Sequence, residues 1–174
     1  MRPLSPTAPT PRPRPEPAPA APVPPGHLLW FRGEHHRVTV SATTLCPGDP
    51  LTLTVTAHND DPEPRALLLR LAPDAEHGNP FTPAGPGRFT GPAPSTCGIG
   101  TDGHALVVDH VHTRIAGHTT ATVTLHTRIR EDAVPGLHTF TPWARSSVGD
   151  RLADTHTPTR PALTVLAADR LRPR

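Results

Sequence analysis

The sequence predicts an all-β fold, a sandwich of two antiparallel sheets, from three observations. From His36 onward, apolar and polar residues alternate at a spacing of two, which is typical of strands with one buried face. Short segments rich in glycine, proline and aspartate separate these runs as turns. No 12-residue window places apolar residues at helical spacing without a proline or glycine inside it. Strands without helices to cover them must bury their apolar faces against one another.

The N-terminal segment, residues 1–26, is predicted to be a disordered tail rich in proline and arginine. Residues 1–25 hold 11 of the 26 prolines, and Leu4 and Val23 are their only large apolar residues past Met1. So little apolar surface cannot form a core, so the tail is expected to stay extended. We interpret its PTPRPRPEP stretch as a spacer, with docking into an aromatic groove as the alternative. Residues 27–168 then form the sandwich, and 169–174 a short basic tail.

Seven segments between the tails carry the alternating pattern. The clearest is LTLTVTAHND, in which the residues from Leu51 to Ala57 alternate with threonines. Trp143 is expected in the core, and Trp30 is expected to hold the first strand. The stretch 73–103, rich in proline and glycine, is predicted to be a long connection with one edge strand. The predicted strands lie within residues 36–42, 51–57, 65–71, 104–111, 120–130, 137–144 and 162–167.

The order of turns and strands carries a resemblance to a known family. PGDPLTLTVTAHNDD combines a Gly-Asp turn (Gly48, Asp49), an alternating strand and Asn59 where that strand ends. AGHTTATVTL adds a Gly-led strand, and VPGLHTFTPWARSSVGD adds a Pro-Gly turn followed by the penultimate strand. Over residues 36–167 this order resembles the Ig-like repeat of bacterial surface proteins called domain of unknown function eleven. The resemblance implies an Ig-like antiparallel β-sandwich of about seven strands and implies no catalytic residue.

The charge distribution argues against a nucleic-acid partner. The chain has a net charge of +2 and a pI near 9.0, but its tails hold six arginines and two acidic residues, which leaves −2 for residues 27–168. A domain that binds phosphates usually concentrates positive charge on its folded surface. No run of 18 apolar residues predicts a membrane span. We expect an extracellular or cell-envelope location if a leader precedes Met1, and a cytoplasmic one otherwise.

Four of the 12 histidines lie between Asp109 and Glu131 in a stretch that otherwise has strand character. We interpret them as solvated strand-face side chains, with no metal and no cofactor. The alternative is a metal-binding protein or metal-dependent enzyme, in which His110 and His112 share a strand face and meet His126 across strands. Further candidates for that site are His104, His118 and Asp109. His35 and His36 could likewise be either solvated side chains or metal ligands. A third interpretation of the histidines is a surface whose charge changes with pH.

The remaining reactive residue types match no known catalytic pattern. Cys46 and Cys97 are the two cysteines of the chain, and they could form one disulfide or both be reduced. Cys97, His104 and Asp109 are the residue types of a cysteine nucleophile, but we interpret Cys97 as a loop residue or a disulfide partner. Loop carboxylates at one end of a sandwich could bind calcium, and the candidates are Asp60, Asp61, Asp74 and Glu76. The usual calcium-binding loop motif does not occur in the sequence. We therefore expect no catalytic or cofactor-binding residue and no enzymatic activity.

The function predicted from the sequence is a non-catalytic adhesion, spacer or interaction module of a bacterial cell-envelope or secreted protein. Sheet faces made of Thr, His and Arg, together with the 73–103 connection, are the expected contact region. A protein or a component of the cell envelope is the expected partner. The oligomeric state is left open.

Overall fold

The structure is a computed structural model of the chain. It describes residues 26–83, 88–90, 95–98, 108–148, 151–155 and 159–167. For some of these it describes the backbone alone, namely 88–90, 95–98, 108–114, 151–152 and 154–155. The predicted tails lie outside the described residues, apart from Gly26. In the described part every regular element is a strand, and the strands form two sheets packed face to face as an Ig-like β-sandwich.

The first sheet has five strands that pair in the order β1-β2-β4-β9-β6. All its pairs are antiparallel, and ten residue pairs join β4 to β9 at its centre. The strands of the first sheet are β1 (Leu28–Arg32), β2 (His36–Val40), β4 (Pro50–Asn59), β6 (Arg88–Thr90) and β9 (Thr119–Arg128).

The second sheet follows the order β3-β12-β10-β5-β8-β7, with β11 paired to the far half of β10. Only the short β3 runs parallel to its neighbour β12. The strands of the second sheet are β3 (Thr44–Leu45), β5 (Arg65–Pro73), β7 (Ser95–Gly98), β8 (Val108–Ile115), β10 (Gly136–Val148), β11 (Arg151–Thr155) and β12 (Ala162–Val165).

The predicted all-β sandwich is confirmed, and the seven predicted strands match β2, β4, β5, β8, β9, β10 and β12. The structure has five further strands, β1, β3, β6, β7 and β11, so the number of about seven was too low. Two of them, β6 and β7, lie in the 73–103 connection, where one edge strand was expected. Residues 104–107 of the predicted fourth strand lie outside the described residues. The added strands are short or lie at a sheet edge, where alternation is weakest.

The core forms between the inward faces of the two sheets. On β4 the inward side chains are the predicted ones, and Leu53, Val55 and Ala57 are fully buried. Trp30, Phe81 and Phe140 form its aromatic centre, with ring centroids between 4.9 and 6.4 Å apart. The Trp30 indole N–H donates to the carbonyl oxygen of Ala162, 2.8 Å away in the other sheet. This bond ties β1 to β12 of the other sheet. The strand that the sequence predicted as the first, residues 36–42, is β2, and Trp30 lies on its neighbour β1.

We predicted that Trp143 of β10 faces the core together with the alternate residues of that strand. In the structure the other set of alternate residues faces the core. His138 and Phe140 are buried, whereas Leu137 and Thr141 are exposed and Trp143 is only half-buried. The expectation that Trp143 belongs to the core is therefore wrong. The pattern LHTFTPWA has large apolar residues at both phases, so local sequence did not decide which phase would face the other sheet.

Two turns explain residues that carried the family resemblance. Gly48 has a φ of +83°, a conformation that favours glycine, and the Asp49 carboxylate accepts a bond from the Cys46 backbone N–H at 2.7 Å. Asn59 is fully buried at the end of β4 and donates to the carbonyl oxygens of Glu63 and Ile115. Both residues therefore hold connections between strands in place.

Candidate interaction surface

The outward side of the first sheet is a regular polar surface, which we call the threonine face. Its threonines and histidines project from the two central strands, β4 and β9, and continue onto β2. They point outward because the alternate residues of the same strands fill the core. The threonine face consists of Arg37, Thr39, Thr52, Thr54, Thr56, His58, Thr120, Thr122, Thr124 and His126.

Cross-strand register pairs the polar side chains of the threonine face. The His58 Nδ1 lies 2.8 Å from the Thr120 hydroxyl, and the Thr52 hydroxyl lies 3.2 Å from the Nδ1 of His126. Between these pairs, the hydroxyls of Thr56 and Thr122 are 3.4 Å apart. Directly opposed side chains on antiparallel strands stabilise one another in this way. The pairing holds the hydroxyls in fixed rows that run across the strands, and neighbours in a row are one strand spacing apart, about 4.8 Å.

Solvent reaches the threonine face unevenly. Thr120 and His126 are exposed, and Thr56 and Thr122 are half-buried. Thr39 and Thr54, near its middle, are buried. A partner would therefore meet the rows on either side of this buried middle row. There each hydroxyl can both donate and accept a hydrogen bond.

The strands of the first sheet carry formal charges of one sign only, apart from their histidines. Its five strands contain four arginines and no aspartate or glutamate. Arg32 and Arg128 are exposed, and Arg37 is half-buried. The net charge of −2 for the folded part did not indicate this local positive charge. The acidic residues of the described part lie in loops and in the second sheet. A count of charges over the predicted strands would have found only Arg37 and Arg128 of these four, because Arg32 and Arg88 lie on strands outside the seven predicted segments.

The outward side of the second sheet carries an aromatic group between two cations. The Trp143 ring lies 5.5 Å from the Arg70 Cζ and 4.8 Å from the Arg145 Cζ. Contacts of this kind are worth about 0.5–1 kcal/mol each at an exposed site. They explain why a tryptophan is stable on the outer side of β10.

The structure does not bring together the histidines of the predicted metal-site alternative. His110 and His112 lie on β8 of the second sheet, where β5 and β7 are their neighbours. His126 lies on β9 of the first sheet and is exposed on the threonine face. The core, about 10 Å thick, separates the two sheets. This placement corrects the expectation that His126 lies on the strand beside His110 and His112.

Of the further candidates for that site, the structure describes the side chain of His118 alone. His118 is exposed in the turn between β8 and β9 and has a φ of +55°. His104 lies outside the described residues, as do the side chains of Asp109, His110 and His112. Among the side chains that the structure describes, no three His, Cys, Asp or Glu groups converge as metal ligands would.

The positions of the cysteines argue against the Cys46–Cys97 disulfide. Cys46 is buried as a free thiol directly after β3, and Cys97 lies on β7, whose side chains are outside those described. β3 and β7 are the two opposite edges of the second sheet. Five strand spacings separate them, roughly 24 Å, whereas disulfide-bonded Cα atoms lie within about 7 Å.

The loop carboxylates considered for calcium lie at different places. Asp60 and Asp61 precede β5, whereas Asp74 and Glu76 follow it. This nine-residue strand puts roughly 30 Å between the two pairs. Asp61 forms an ion pair with Arg65.

His35 is held neutral at the edge of the sandwich. It is buried, and its Nε2 lies 2.9 Å from the Arg65 Nη1, so the ring accepts a bond from the guanidinium. Burial and then the charge of Arg65 lower the pKa of His35 below its usual value. Its carboxylate neighbours, Glu34 at 3.7 Å and Asp60 at 3.8 Å, act in the opposite direction. His36, also buried, points inward from β2.

Asp74 joins the turn after β5 to β10. Its carboxylate accepts bonds from the backbone N–H and the hydroxyl of Thr139, at 2.9 and 3.0 Å, and from the backbone N–H of His77 at 2.8 Å. Burial alone would raise the pKa of Asp74, but these donors outweigh it and hold the pKa well below the usual range. Asp74 therefore has a structural role.

We expect Asp74→Asn to lower the free energy of unfolding at pH 7 by about 1–3 kcal/mol, because charge-assisted hydrogen bonds are lost. A carboxylate with a lowered pKa stabilises the fold above its unfolded pKa, about 3.9, and this contribution disappears as the pH falls further. Urea unfolding at a series of pH values should therefore show the difference shrinking below about pH 4. The control is Glu76→Gln, which alters an exposed carboxylate of the same turn. A difference that stays constant down to the lowest pH contradicts the assignment.

Comparison with known proteins gives the fold and little more. No protein-family model matches the sequence, and no curated protein matches it. Among solved structures, the N-terminal domain of a Streptococcus gordonii adhesin aligns over 76% of this chain and 33% of its own, with 10% identity and a TM-score of 0.43. A cohesin module from a Clostridium perfringens glycoside hydrolase aligns over 76% and 97%, with 12% identity and a TM-score of 0.42.

A Pseudomonas fluorescens alkylpurine DNA glycosylase bound to DNA also aligns, over 74% of this chain and 29% of its own, with 15% identity and a TM-score of 0.37. This chain thus spans about a third of the length of the glycosylase and the adhesin chain. Such similarities concern the sandwich architecture alone. In the described part of the chain, no helix has the length and apolar character needed to cross a membrane.

Proposed function

We propose that this domain is a non-catalytic adhesion or interaction module of a bacterial cell-envelope or secreted protein, and that it binds through the threonine face. The observation that carries the proposal is the set of cross-strand Thr–Thr and Thr–His pairs on β4 and β9. These pairs present hydroxyl and imidazole groups to solvent on the most extensively paired strands of the first sheet.

The physical basis of binding is a preorganised surface. A side chain that already has a cross-strand partner loses little conformational freedom when a ligand binds it. The resemblance of the Gly48-Asp49 turn and Asn59 to the Ig-like repeat of bacterial surface proteins supports the envelope location. No reacting group is required for this role. The metal-dependent alternative receives no support from the positions of His110, His112 and His126.

The test compares one substitution on each outer face. The purified full chain is mixed with washed bacterial cells, isolated cell walls or outer-membrane vesicles, and the bound fraction is measured by co-sedimentation. Thr122→Glu puts a charge in the row beside the buried middle row of the threonine face. It is expected to lower binding about tenfold, because the partner would remove water from this charge. Thr141→Glu makes the same change on the outer side of β10 and should leave binding within about twofold.

Thermal unfolding of both variants checks that each is folded. Equal binding by the two variants, or a wild-type chain that binds none of the three fractions, contradicts the proposal. Turnover of any substrate by the wild-type chain would contradict the non-catalytic part of the proposal.

A further inference from the structure

One end of the threonine face carries two arginines in directly opposed positions. Arg32 on β1 pairs with Arg37 on β2 in the antiparallel register, so both project from the outer side of the first sheet. Opposed residues have Cβ atoms about 4.5–5.5 Å apart, and like charges at that distance destabilise the sheet. An anion bound between the two guanidinium groups could accept charge-assisted hydrogen bonds from both.

Two threonines extend the arginine pair into a row. The register continues from Arg37 to Thr56 on β4 and from Thr56 to Thr122 on β9. The row therefore presents two cations and then two hydroxyls, over about 14 Å of sheet width. His58 and Thr120 form the next outward pair along the same two strands.

The acidic groups near this end lie in loops beyond the strands. Glu34 is in the turn between β1 and β2 and is largely exposed. Asp61 forms an ion pair with Arg65. Asp60 lies beside His35. Arg37 itself also makes interactions within the protein. Arg32 is exposed, and the strands that carry the row contain no carboxylate.

We propose that this row, Arg32, Arg37, Thr56 and Thr122, binds an acidic polysaccharide through the carboxylates of its uronic acid residues. The planar guanidinium fork matches a planar carboxylate in bidentate fashion. The hydroxyls of the row then match the sugar hydroxyls, which also both donate and accept. The repeating spacing of the row suits a polymer. This inference rests on the proposed function, since it names the partner of the same face.

Nucleic acid fits the row less well than a polysaccharide. Proteins that bind single strands stack bases on aromatic side chains, and those that bind duplexes use a basic surface or an element that enters a groove. The outward residues of β2, β4 and β9 include no aromatic ring other than the imidazoles of His58 and His126. The arginine pair is a local feature of a fold whose net charge is −2.

The experiment measures binding of the full chain to immobilised polygalacturonate by biolayer interferometry at low salt. Replacing both arginines (Arg32→Gln with Arg37→Gln) is expected to weaken binding about tenfold or more, because charge-assisted hydrogen bonds are lost. The matched control, Arg70→Gln with Arg145→Gln, removes the same charge from the outer side of the second sheet and should keep binding within about twofold. Neutral dextran is expected not to bind.

Equal loss in the two double variants, or absence of binding to polygalacturonate, overturns the inference. Tighter binding to duplex DNA or to sulfated heparin overturns it as well, because the row would then be a general polyanion surface. If cells or cell walls still bind and Thr122→Glu still abolishes that binding, the proposed function stands and only the partner class is wrong.

Discussion

Replacing Phe140 with alanine is expected to lower the free energy of unfolding by about 3–5 kcal/mol, which is the usual cost of deleting a buried phenylalanine. Phe140 is completely buried at the centre of the core. Its ring meets Trp30 edge-on at 4.9 Å and is stacked on Phe81 at 5.8 Å. Alanine would leave a cavity that the surrounding strands cannot close, because backbone pairing holds them in place.

Two further substitutions make the Phe140 result specific. Phe140→Leu keeps most of the volume and should cost less than alanine, about 1.5 kcal/mol. Trp143→Ala removes a larger ring three residues away on the outer side and should cost only about 1–2 kcal/mol, the value of its two arginine contacts. Equilibrium unfolding in urea measures all three. A greater cost for Trp143→Ala than for Phe140→Ala would mean that β10 has the opposite phase.

Asn59→Ala is expected to lower the free energy of unfolding by about 3 kcal/mol, because it removes the partner of one buried and two partly buried backbone groups. The Asn59 amide donates to the carbonyl oxygens of Glu63 at 2.8 Å and Ile115 at 3.2 Å, and its Oδ1 accepts from the Asp61 N–H at 3.1 Å. Asn59 thus ties the β4–β5 connection to the end of β8. Water cannot replace it easily at a position that is fully buried.

The control for this prediction is Asn59→Asp, which has nearly the same shape. Its carboxylate can still accept from Asp61, but it cannot donate to the two carbonyl oxygens and would face them with a buried charge. We therefore expect aspartate to restore none of the stability, as measured by the same urea titration. A loss below about 1 kcal/mol for the alanine variant, or rescue by aspartate, would show that the amide donors are not essential.

The candidate interaction surface was predictable in composition and less so in position. Faces of Thr, His and Arg were expected, and the alternation of β4 and β9 already placed Thr56, His58 and Thr122 on one side. Their partners across the sheet were not predictable, because register depends on which strands pair. The Arg32–Arg37 pair was missed since LLWFR shows no clear alternation, and β1 was not recognised as a strand.

The histidines between Asp109 and Glu131 show more clearly that local sequence does not determine which strands pair. His112 and His126 are 14 residues apart and lie on consecutive strands, which made a cross-strand meeting plausible. Consecutive strands of a sandwich can pair with each other or cross to the other sheet. Here the chain crosses between β8 and β9, so the two residues belong to different sheets. At this crossing the backbone of Gly117 lies so close to the carbonyl oxygen of Pro62 that a side chain would not fit, a contact between distant segments that no local pattern encodes.

The sequence by itself determined that this chain forms strands with one apolar and one polar face, since a spacing of two is a property of neighbouring residues and needs no partner. The tertiary structure decided which sheet each strand joins, which phase of β10 faces inward, and which polar side chains meet. These choices depend on the total area buried between the two sheets. That area is set by all the strands together, so a single segment cannot specify it.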